Sequence, residues 1–106
     1  MHNNLPYKEK ALFTFQKLVT TAGTRVQLKA TKTLLGKCKI RALTTNTGAI
    51  FVGDVTVSSA IGYPLAAGVE LDLDDLLGND SDVIDISKIY LDAAVNGEGV
   101  AVIYFP

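Results

Sequence analysis

Residues 46–76 read NTGAIFVGDVTVSSAIGYPLAAGVELDLDDL. Short runs of β-branched and aromatic residues are cut by turn signals at Asn46 to Gly48, Gly53-Asp54, Gly62 to Pro64 and Gly68. Runs of this length with such punctuation are the pattern of short strands, not of helices. The stretch holds no His, Cys, Lys or Arg, so it reads as scaffold and surface with little reactive chemistry.

The same pattern extends in both directions. Phe13, Phe15 and Lys17 share one side of an expected first strand within 10–19. Val26, Leu28 and Ala30 alternate with Arg25, Gln27 and Lys29 in a second. Cys38, Ile40 and Ala42 face opposite to Lys37, Lys39 and Arg41. Within the opening stretch, 49–53 and 55–57 read as two strands around a tight Gly53-Asp54 turn, or as one bulged strand. Tyr63-Pro64-Leu65 is expected to start a turn, because Pro64 cannot donate to a central ladder. Val69, Leu71 and Leu73 alternate with Glu70, Asp72 and Asp74 in a further strand, and 76–87 is expected to be a loop with short helical character. Ile89, Leu91 and Ala93 form another inward row, Asn96-Gly97 signals a hairpin, and 100–105 is apolar on both faces as a central strand would be. About eight short strands and no sustained helical period predict a single-domain, all-β antiparallel sandwich of jelly-roll type over 10–106, with another small sandwich or barrel as the alternative. Residues 1–9 are expected to be a flexible polar N-terminal arm.

The chain has 106 residues, and hydrophobic residues make up 48% of it. That is enough for one core, since folding at this size buries roughly two-thirds of the unfolded surface. One cysteine excludes an intrachain disulfide and a cysteine-held zinc. No apolar run has the length of a membrane helix, and the N-terminus lacks the apolar core of a secretory signal. The expected site of synthesis is therefore a cytoplasm, and no membrane is expected as a partner.

The net charge of −1 conceals a separation. Residues 1–48 carry nine basic residues and one acidic, a balance of +8; residues 49–106 carry one basic and ten acidic, a balance of −9. Either the halves interleave in one fold, or the module is dipolar and its positive face meets a negative neighbour. If Arg25 and Lys29 lie on a strand paired with that of Lys37, Lys39 and Arg41, like charges face each other at some cost, which points to an acidic partner nearby without placing it. Nucleic acid is not expected as a partner, since the domain is not basic overall and lacks interleaved arginines and aromatics.

Candidate chemistry is sparse. Glu70, Asp72, Asp74, Asp75, Asp80, Asp82 and Asp85 supply hard oxygen donors, but their spacing is not that of an EF-hand loop. His2 is the single histidine, too few for a metal-dependent cupin and poorly placed for a general base. Cys38 falls on an apolar strand face, as a buried structural thiol does. No carboxylate pair stands out for glycoside hydrolysis, and Gly97 and Gly99 sit in an expected hairpin, not a phosphate loop. Tyr63, Tyr90 and Tyr104 could stack on a sugar if they shared a surface. No enzyme activity, metal or cofactor is expected.

Over 18–105 the chain resembles small tailed-phage and prophage virion proteins. The matching stretches are TTAGTRVQLKAT (20–31), 40–76 with NTGAIFVG, GYPLAAG and LDLDDL, and SKIYLDAAVNGEGVAVIYF (87–105). The resemblance implies a structural protein of the virion, of the jelly-roll capsid decoration or cement kind. It implies a homo-oligomer that binds the phage major capsid protein or another virion subunit after synthesis in the bacterial host cytoplasm. The residues expected at that interface are Leu5, Pro6, Tyr7, Lys37, Lys39, Arg41, Tyr104 and Phe105. The alternative is a tail-associated or carbohydrate-binding module that recognises the host surface.

Overall fold

The computed structural model describes residues 11–78 and 83–105. Its strands are β1 (Phe13–Val19), β2 (Val26–Gln27), β3 (Leu34–Leu35), β4 (Lys37–Ala42), β5 (Ile50–Gly53), β6 (Tyr63–Leu65), β7 (Glu70–Asp72), β8 (Ile84–Asp85), β9 (Tyr90–Ala93) and β10 (Glu98–Phe105). Among the described residues one short α-helix, α1 (Leu73–Leu77), follows β7, and a single 3-10 turn (Ile86–Lys88) follows β8. Two four-stranded antiparallel sheets have the orders β1-β10-β4-β7 and β2-β9-β5-β6, and β3 with β8 forms a small separate ribbon.

This order is that of a jelly roll: eight strands in two sheets, wound as nested antiparallel pairs. Pairing runs β5 with β6, β4 with β7, β3 with β8, β2 with β9 and β1 with β10. The midpoint of every one of these pairings falls between residues 55 and 60. The opening stretch therefore contains the tip of one long hairpin. A second set of contacts, β10 with β4 and β5 with β9, rolls that hairpin shut.

Alternation explains the core. Cys38, Ile40 and Ala42 of β4 face Leu91 and Ala93 of β9 and Ile50 of β5 across the interior, joined by Val100 and Val102 of β10. Burying each large aliphatic side chain stabilises the fold by about 1.5–3 kcal/mol. The outward residues of β4 are Lys37, Lys39 and Arg41.

Five local readings are corrected. Val55–Val57 is a turn, because Asp54 accepts from the Thr56 N–H at 2.8 Å and hydroxyl at 2.6 Å, while its carbonyl accepts from Val57. Tyr63–Leu65 is a strand, and Pro64 is tolerated because β6 is a sheet edge. Leu73 opens a helix instead of ending a strand: Asp72 caps it by accepting from Asp74 N–H at 3.0 Å, and Gly78 closes it at φ +66°. The second strand stops at Gln27, so Ala30 is exposed. Asn96-Gly97 joins two different sheets and is no hairpin. Its turn docks on the neighbouring β1–β2 corner, where Asn96 Oδ1 accepts from Ala22 N–H at 2.7 Å and Gly97 N–H donates to the Val19 carbonyl at 2.7 Å.

Candidate functional site

The basic strand and its expected acidic partner lie side by side. β4 pairs with β7 in the register Lys39 to Asp72 and Arg41 to Glu70. Lys39 Nζ lies 3.6 Å from Glu70 and 3.9 Å from Asp72; Arg41 lies 3.8 Å from Glu70, and Lys37 lies 3.9 Å from Asp74. The two charge-biased halves of the sequence thus interleave within one sheet.

On the other side of β4 runs β10, whose outward residues are Ala101, Ile103 and Phe105, opposite Arg41, Lys39 and Lys37. Beyond it β1 turns Thr14 and Gln16 outward. The result is a shallow depression with an apolar floor and a charged wall. One part, about 460 Å³, lies where β1 begins and β10 ends: Leu12, Ile103, Tyr104 and Phe105 border it, with Lys37, Lys39 and Asp74 on the far side. A second part, about 410 Å³, continues along the sheet past Ala101 between Gln16 and Arg41. Ile103 and Lys39 belong to both.

Of the residues expected at an interface, Lys37, Lys39, Arg41 and Phe105 meet at this depression. Tyr104 borders it from below as a core side chain, its ring stacked on Phe13 at 5.4 Å and edge-on to Phe15. Leu5, Pro6 and Tyr7 lie outside the described residues.

Of the carboxylates of the acidic tract, Glu70 and Asp72 share Lys39, whereas Asp74 and Asp85 turn to other partners. Asp74 accepts from the Cys38 N–H at 3.1 Å as well as pairing with Lys37. Asp85 accepts from the Thr33 and Ser87 N–H groups and, at 2.7 Å, from the Ser87 hydroxyl. Asp80 and Asp82 lie outside the described residues. Among the described residues no three His, Cys, Asp or Glu side chains gather as a metal ion would need, and no helix is long and apolar enough to cross a membrane. The Cys38 thiol is buried in the core, and that burial, with the nearby charges of Asp74 and Asp72, pushes its pKa up to about 12.

The three tyrosines do not form a platform. Tyr63 pairs with inward-facing Val52 and leans over an apolar depression of about 320 Å³ near Leu71 and Ile89. Tyr90 pairs with Gly53, one residue along, and so points to the opposite face of that sheet. Tyr104 is in the core of the other sheet.

Sequence reading missed the polar residues that lock the corners. Asn46, buried, donates from Nδ2 to the Gly99 carbonyl at 2.9 Å. Asp92, buried, accepts from the Gly23 and Ala93 N–H groups. Glu98 accepts from the Thr47 and Gly48 N–H groups at 2.7 and 2.9 Å. An Asx or Glu beside a turn was the available signal, but its partner lies 50 to 69 residues away in each case but that of Ala93, and no local pattern names it. Comparison with protein-family models, with curated proteins and with solved structures finds no match.

Proposed function

We propose that this chain is a virion structural protein of a tailed phage, a capsid decoration or cement protein that works by binding neighbouring subunits. The carrying observation is the outer face of the β1-β10-β4-β7 sheet, where an apolar floor at Ile103 and Phe105 adjoins a wall of paired charges at Lys39, Arg41, Glu70 and Asp72. A floor that gains by losing water, with a polar rim that sets register, is the anatomy of a protein-binding surface. The phage-like pattern over 18–105 supplies the class of partner, and the jelly roll is an architecture that capsid proteins use, a fold-level analogy only. The separation of Tyr63, Tyr90 and Tyr104 removes the motive for a sugar-binding reading.

In this reading the protein adds to capsids as a homo-oligomer and raises their resistance to heat by bridging subunits. Purified protein is expected to co-sediment with undecorated capsids of its own phage, to raise their disruption temperature, and to bind less well as salt screens the rim. Binding to host cells with no binding to capsids would overturn the proposal. Salt-independent capsid binding would move the weight from the charged wall to the apolar floor.

A further inference from the structure

Among the described residues four strands form the edges of the two sheets, and three of them are blunted. β7 is three residues long with two acids, β6 is three residues long with Pro64 in its middle, and β2 has two residues. Short length, charge and proline are the devices that keep a sheet edge from pairing with another chain. β1 has none of them to this degree: seven residues, FTFQKLV, one charge, no proline, no glycine and no bulge in its register with β10.

The side of β1 that is open can be read from its backbone. A Cβ on Gly99 would collide with the Lys17 carbonyl, and the Val19 carbonyl accepts from Gly97, so residues 17 and 19 direct their peptide groups toward β10. Peptide groups alternate along a strand, so Thr14, Gln16 and Leu18 direct theirs the other way, to the edge that no described strand pairs with.

We propose that two copies of this chain pair edge to edge through β1, antiparallel, about a two-fold axis at Phe15. The strand is self-complementary in that register. Leu12 meets the partner's Leu18 and Thr14 meets the partner's Gln16 on the outer face; Phe15 meets its own copy and Phe13 meets the partner's Lys17 on the inner face. Apolar faces apolar, polar faces polar, and the one lysine faces an aromatic ring instead of a second lysine. Leu12, Leu18 and Phe13 are 54%, 46% and 44% exposed in the single chain, and all three gain a neighbour. The contact is isologous and closes at two copies. The axis stands normal to the sheet, so both copies present the Ile103–Lys39 depression on the same side of one eight-stranded sheet. A capsid partner would then be held at two points.

The pairing is measured on the free protein without any capsid, so its failure and the failure of the proposed role are separate results. The 11.3-kDa chain is expected to sediment at twice its monomer mass at high concentration. Gln16→Pro removes an N–H that faces away from β10 and is expected to give a folded monomer. On a Cys38→Ala background, Phe15→Cys is expected to form an intermolecular disulfide under mild oxidation, because residues facing across such a pair have Cα atoms about 4.5 Å apart. Thr14→Cys is expected not to, since its own copy lies about 8 Å away in this register. A wild-type chain that stays monomeric at high concentration, a Gln16→Pro variant that remains dimeric, or cross-linking through Thr14→Cys in preference to Phe15→Cys would each overturn the proposal. If Gln16→Pro does not fold, the cysteine pair decides.

Discussion

Single residues at the corners do what the sheets cannot do for themselves. Gly99 lets β1 approach β10 so closely that any side chain would strike the Lys17 carbonyl, and Asn46 closes the same spot from the other side by holding the Gly99 carbonyl. Glu98, one residue earlier, gathers the N–H groups of Gly48 and Thr47; these bonds favour its charged form and hold its pKa below the ordinary 4.5. Asp54 and Asp85 are held below the ordinary 3.8, first by the hydroxyls of Thr56 and Ser87. The sign follows from proton uptake. The unfolded chain takes up a proton at the ordinary value while the folded chain still resists it, so the stability these groups contribute is complete above about pH 4.5 and is lost as pH falls through their lower folded values. Urea midpoints are expected to be flat from pH 7 to 5 and to fall below that. Glu98→Gln is expected to be less stable at pH 7 and to show a shallower acid decline; a decline as steep as the wild type's would exclude Glu98 as a contributor.

At the scale of elements, one strand serves two purposes, and its residues separate them. On β4, Ile40 is wholly buried, whereas its neighbour Lys39 lies at the surface between Glu70 and Asp72. Ile40→Ala is expected to cost about 2–5 kcal/mol as a cavity in the core, and Lys39→Met less than about 1 kcal/mol, because an exposed ion pair repays little of its desolvation and ordering. Denaturant titration of both variants checks this; a loss above about 2 kcal/mol at Lys39 would mean that the charge wall holds the fold and is not a recognition surface. β4 was legible in the sequence because its alternation is strict, and so were β5, β9 and β10. What was not legible has a common cause, a local signal outweighed by a distant partner or by a cap. Val55 and Val57 look like strand residues, but Asp54 turns the chain between them. Asn96-Gly97 has hairpin chemistry, yet its flanking strands pair with β4, β5, β1 and β2 instead of with each other. Leu73 continues an alternation that Asp72, as a helix cap, interrupts. The candidate site was half legible: Lys37, Lys39 and Arg41 could be placed on one face, but only the β4–β7 register puts Glu70 and Asp72 beside them.

For the whole molecule the governing fact is the nesting. The innermost pair, Val52 with Tyr63, closes a short loop; the outermost, Phe13 with Tyr104, closes nearly the whole chain. Each outer pair can form cheaply only after the inner ones have shortened the effective loop, because closure entropy grows with the length of free chain. The rolling contacts of β10 on β4 and β5 on β9 then add the core, and they too join residues far apart. Folds dominated by such non-local pairing refold in milliseconds to seconds, not microseconds. Stopped-flow refolding is expected to fall in that range. Two probes of order should separate. Destabilising the 54–62 turn, by Asp54→Ala, is expected to slow refolding, because the turn must form before the outer pairs. Destabilising β1, by Phe15→Ala, is expected mainly to speed unfolding, because that strand joins last. The reverse assignment would mean that β1 and β10 meet early and that the roll closes from the outside in.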